Sequence, residues 1–87
     1  MKKEDRLYGT QDLYLASFLK ARGLKLVRIG RRGNVAVFYF DHIDDIARIV
    51  TSFYNGKELV NANNLIGSIR DLKSIVHNLR NEVESYE

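Results

Sequence analysis

The stretch Leu24-Lys25-Leu26-Val27-Arg28-Ile29-Gly30-Arg31-Arg32-Gly33-Asn34-Val35-Ala36-Val37-Phe38-Tyr39-Phe40 decides the fold. Its two flanking runs, residues 24–29 and 34–40, are rich in the β-branched and aromatic residues that suit a pleated, half-buried surface. A short link bounded by Gly30 and Gly33 joins them, which reads as a hairpin turn. Glycine adopts positive φ where arginine does so only at a steric cost. Both glycines are therefore expected to serve the turn, leaving Arg31 and Arg32 at an exposed tip. The second run is apolar on both faces, with Ala36, Phe38 and Phe40 on one and Val35, Val37 and Tyr39 on the other. A strand in a half-exposed hairpin alternates apolar with polar residues. Either helices cover both faces, then, or a second copy of the chain covers one.

Upstream, residues 11–22 carry apolar side chains at Leu15, Ala16, Phe18 and Leu19, and a cationic end at Lys20 and Arg22. Thr10 is the expected N-cap, Asp12 puts negative charge in the first helical turn, and Gly23 supplies the left-handed stop. Residues 1–9 read as a polar lead-in. Downstream, Asp41 or His42 is expected to open a second helix. Its stripe comprises Ile43, Ile46, Ala47, Val50 and Tyr54, widened by Ile49 and Phe53, and Asn55-Gly56 ends it. Residues 57–60 are a candidate third, edge strand. Asn61 then caps a third helix over residues 62–80, whose apolar positions Leu65, Ile69, Leu72, Val76, Leu79 and Val83 recur at heptad-like spacing. Residues 81–87 form an acidic tail. The expected architecture is α+β, a hairpin with a possible third short strand packed with three helices, in the order α-β-β-α-(β)-α, as one domain over residues 10–80.

Eighty-seven residues suffice for one domain with a thin core. No run is long and apolar enough to span a membrane, and the charged start is followed by no signal-peptide pattern. Together with the lack of cysteine, this favours a reducing, cytoplasmic location and leaves neither disulfide nor thiolate metal site to support the fold.

Catalysis by a nucleophile needs a base and an orienting group beside it. The serines fall mostly inside expected helices, and only His42 and His77 supply imidazole. His42 lies near Asp44 and Asp45, but carboxylates belong in a helix's first turn for electrostatic reasons alone. No further His or Cys completes a zinc set. No phosphate loop or dinucleotide fingerprint occurs. The tetrapeptide Gly30-Arg31-Arg32-Gly33 matches the GxxG loop of KH domains in letters but not in context, since that loop joins two helices. No enzyme activity, metal, cofactor or small-molecule substrate is expected.

The charge is uneven. Residues 1–35 hold nine Lys/Arg against three Asp/Glu, and the remainder holds five against eight, within a net charge of +3. Lys20, Arg22, Lys25, Arg28, Arg31 and Arg32 fall within thirteen residues. If they converge, they make a phosphate-binding edge that gains affinity by releasing counterions, with Tyr39 or Tyr8 as a stacking face. The equally physical alternative is a set of ordinary solvated charges. A different class of function, a protein-interaction or homodimeric module, would use Val37 and Tyr39 with Leu72, Val76 and Leu79.

A family pattern runs through these elements. Gln11-Asp12-Leu13-Tyr14-Leu15-Ala16-Ser17-Phe18-Leu19 with Gly23 resembles the opening of a family of short prokaryotic and phage proteins known as a domain of unknown function. Val37-Phe38-Tyr39-Phe40-Asp41 and Phe53-Tyr54-Asn55-Gly56 are similar to its middle, and residues 61–73 to its end. The resemblance spans roughly residues 10–75. It implies an intact small domain and carries no binding or catalytic residues with it.

Overall fold

The computed structural model describes the backbone of residues 6–85 and the side chains of residues 6–79. The elements are β1 (Leu7–Thr10), α1 (Leu13–Arg22), β2 (Leu26–Arg32), β3 (Val35–Asp41), α2 (Ile46–Tyr54) and α3 (Ala62–Ser85). The fold is α+β, as expected, but the third strand is β1. Residues 57–60 form no strand, and Leu59 there is 94% exposed. The observed order is β-α-β-β-α-α.

The sheet is antiparallel with strand order β1-β3-β2. β3 is thus the central strand, hydrogen-bonded on both edges, with the helices packed on its Phe38 and Phe40 face. β1 and β2 run parallel to each other at the two edges, and α1 is the crossover that joins them. Such a connection is too long for a tight turn and places a helix over one sheet face.

On that face Phe38 and Phe40 meet Leu15, Ala16, Phe18 and Leu19 of α1, Ile46 and Ile49 of α2, and Leu72 of α3, all buried. Residues 15–19 of α1 are buried without interruption, so this helix has no solvent-facing stripe there. Its one polar member, Ser17, is fully buried and donates its hydroxyl to the Leu13 carbonyl at 2.8 Å, which satisfies it. Phe18 also stacks on Phe53 with ring centroids 5.0 Å apart, tying α2 to α1.

Local details revise several expectations. The N-cap of α1 is Asp12, whose carboxylate accepts from the Tyr14 and Leu15 amides; Thr10 instead ends β1 and accepts from the Asp12 amide. Gly23 does stop α1, at φ 107°. The hairpin turns on Gly33 and Asn34, with φ 62° at Gly33 and no positive φ at Asn34, the pattern of a type II′ turn. Gly30 has no positive φ and lies inside β2. Asp41 is the last residue of β3, and α2 starts later, with Asp45 at its N-cap position making no side-chain capping bond. The buried stripe of α2 is Ile46 and Ile49 with Val50 and Phe53 beside them, whereas Ala47 and Tyr54 are exposed. Asn61 caps α3 by accepting from the Asn64 amide at 3.0 Å. That helix continues to Ser85, beyond the expected residue 80.

Candidate functional site

The face of the sheet away from the core cluster is set by register. Paired residues in an antiparallel ladder point the same way. Tyr39 pairs with Gly9 on one side and Arg28 on the other, Val37 with Gly30, and Val35 with Arg32. These residues share one face. Tyr8, Thr10, Ile29, Arg31, Ala36, Phe38 and Phe40 share the opposite, helix-bearing face. A bulge at Val27, between Leu26 and Arg28, lets Leu26 join the helical side opposite Phe40.

The open face is built around Tyr39. A Cβ at Gly9 would stand 2.9 Å from Tyr39 Cε1, and one at Gly30 would stand 3.1 Å from Tyr39 Cε2. The ring therefore spans the sheet from edge strand to edge strand in a seat that two missing side chains create. The Arg28 guanidinium lies over that ring, 4.1 Å from its centroid, a cation–π contact. Val37, next to this group on the same face, is buried, and Val35 towards the hairpin end is 45% exposed. Gly9 and Gly30 were not legible as site residues from turn chemistry. The available signal was glycine inside a β-patterned run, which marks close approach by another group.

The six cations of the first half do not form one surface. Lys20 pairs with Asp71 of α3 at 3.8 Å, and Arg22 pairs with Glu58. Arg28 and Arg32 lie on the open face. Arg31 lies on the helical face, where its Nη2 donates to the Gly33 carbonyl at 3.2 Å. Lys25 is exposed just ahead of β2. What the fold does bring together is a subset: Lys25, Arg28, Arg31 and Arg32 all lie on or next to the edge strand β2, and none of the four is ion-paired among the described residues. Tyr8, the alternative stacking residue, faces the core, and its phenol is pushed up by desolvation and by the charge of Asp12.

The set expected at a homodimer interface is likewise divided. Val37 and Tyr39 lie on the open face, while Leu72 is fully buried and Val76 packs against the same core on the helical side. Leu79 is half-buried further along α3.

Among the described residues no group of three or more His, Cys, Asp or Glu is placed to hold a metal ion. No helix among them is long and apolar enough to cross a membrane.

No curated protein and no solved structure matches the chain. A family model does match, over residues 5–78, which takes in every element from β1 to most of α3. The chain belongs to the family described as Domain of unknown function (DUF5659).

Proposed function

We propose that this protein is a non-enzymatic accessory module that binds the phosphate backbone of nucleic acid along edge strand β2. The observation that carries the proposal is the row of cations Lys25, Arg28, Arg31 and Arg32 on one strand edge, with no carboxylate partner among the described residues. β2 pairs only with β3, so its outer edge offers unpaired backbone donors in the plane of the sheet, while these side chains project above and below that plane. Backbone amides and guanidinium groups are both common partners of phosphate oxygens. The strand's alternation puts Arg28 and Arg32 on one side of the edge and Arg31 on the other, which suits a chain of phosphates passing along the edge rather than a point charge. Lys20 and Arg22 drop out of the binding set, because Asp71 and Glu58 already neutralise them.

The test is fluorescence anisotropy with labelled single-stranded and duplex oligonucleotides across a salt series. Arg31→Ala with Arg32→Ala should weaken binding and reduce the slope of log K against log salt by about 2. Lys20→Ala should leave the slope in place. Absence of binding to both oligonucleotides at low salt overturns the proposal. So does a double variant that binds normally but self-associates, because charge on an edge strand also serves to prevent edge-to-edge pairing.

A further inference from the structure

Beside the hairpin, on the helical side, the start of α1, the first half of β3 and the middle of α3 enclose an open cleft of about 310 Å³. That is the lower end of the volume range in which proteins hold small ligands, roughly 300–1,000 Å³. Its apolar lining comes from Leu13, Val35, Ala36, Phe38 and Val76. Its polar lining is of two kinds. Gln11 and Asn34 contribute side-chain amides, each with donor and acceptor at one end. Lys73 and His77 contribute an ammonium and an imidazole one turn apart on α3. No carboxylate lines the cleft, among the described residues. Arg31, opposite Ala36 in the ladder, lies on the same face of the sheet outside this lining, its guanidinium turned to the Gly33 carbonyl.

We propose that this cleft seats one nucleotide, with its base on the apolar lining and its phosphate at the rim beside Lys73. An apolar floor with amides at its edge matches a nucleobase, which has flat apolar faces and hydrogen-bonding edges. The positive rim matches one phosphate by charge. A free mononucleotide and an unstacked residue of a single strand share this chemistry. The strand source rests on the β2 proposal above, since the same hairpin would carry the adjoining phosphates.

The test is an amide-resolved NMR titration of the full chain. It uses adenosine and uridine monophosphates, ribose 5-phosphate, inorganic phosphate and a short single-stranded oligonucleotide, repeated on Lys73→Glu and Gln11→Trp. Both positions are exposed, and thermal melts verify folding. The expected result is saturable shifts at Asn34, Ala36, Val76 and His77 with a mononucleotide, with the oligonucleotide, or with both. Inorganic phosphate and ribose 5-phosphate should give none in the same range. Lys73→Glu should weaken binding about tenfold, the equivalent of ~1.4 kcal/mol for reversing one phosphate contact. Gln11→Trp, which fills the cleft, should abolish the shifts. If the oligonucleotide shifts only β2 resonances and mononucleotides shift nothing, the cleft proposal fails while the edge-strand proposal stands. If mononucleotides fill the cleft and oligonucleotides do not bind, the reverse holds.

Discussion

The Tyr54 phenol donates a 2.7 Å hydrogen bond to the Asp12 carboxylate, across 42 positions in sequence. This bond ties the last turn of α2 to the N-cap of α1. Asp12 uses its other oxygen for the Tyr14 and Leu15 amides, so one carboxylate holds a helix start and a neighbouring helix end together. The hydrogen bond to the Asp12 carboxylate pushes the Tyr54 phenol up to about 12, with burial and the charges of Asp12 and Tyr8 adding to it. The neutral phenol is thus favoured in the folded chain. Its contribution is present below the ordinary tyrosine value of 10.0 and is lost as pH rises from there through about 12. Tyr54→Phe should be less stable than wild type near neutrality, and the gap should close above pH 10.0. Urea unfolding of both proteins across that window checks it; a constant gap counts against the bond.

At the acid end Asp12 behaves oppositely. Desolvation raises its pKa, but the hydrogen bonds from Tyr54, Leu15 and Tyr14 together outweigh that, and the group sits below the ordinary value of 3.8. The ionised form is favoured in the folded chain, so its contribution is present above 3.8 and is lost as pH falls through the lowered value. Asp12→Ala should cost about 1 kcal/mol at neutral pH, the usual loss for a helix N-cap. Asp12→Asn, which can still cap, should keep most of that stability and lose the acid dependence. Chemical denaturation at neutral and acid pH separates the two.

Gly9 and Tyr39 supply a third prediction. A methyl at Gly9 would stand 2.9 Å from the Tyr39 ring, whose other edge is held beside Gly30 and whose face carries Arg28. The ring cannot move without giving up those contacts. Gly9→Val should therefore destabilise by about 1–3 kcal/mol, the range for overpacking. In the Tyr39→Ala background the same change should be neutral or stabilising, because valine is the better strand residue once the ring is gone. A double-mutant cycle measured by urea unfolding reads the coupling directly, and additive costs would refute the seat.

Leu72 has no exposed surface and sits in the core with Phe18, Phe38 and Phe40. Leu72→Ala should cost about 2–5 kcal/mol, as truncations of fully buried leucines do. The loss should not vary with protein concentration, since the residue is covered within its own chain. Ile66→Ala on the same helix should cost little, because Ile66 is 53% exposed. Thermal melts at two concentrations distinguish core from interface: a concentration-dependent midpoint for the Leu72 variant would contradict the packing.

Much of the fold was legible in the chain. The hairpin, the three helices, the Gly23 stop and the Asn61 cap rest on interactions within a few residues, and local chemistry decides those. The edge strand β1 was not. Leu7-Tyr8-Gly9-Thr10 is four residues long and contains a glycine, so its own propensity for strand is weak. It is a strand because β3 has a free side to pair with. The apolar run on both faces of β3 matches the helices packed on one face and the Tyr39 seat on the other. The basic site divides along the same line. The positions of the six cations in sequence place them near one another in the chain, but Asp71 and Glu58, which claim Lys20 and Arg22, lie far away in sequence.

The sequence by itself determined which segments are helix and which form the hairpin, because backbone preference and apolar spacing act over a few residues. Only the tertiary structure decided which strand lies in the middle, which glycine seats a ring and which cations keep their charge unpaired. Those outcomes depend on partners that the chain brings together only after it has closed on itself.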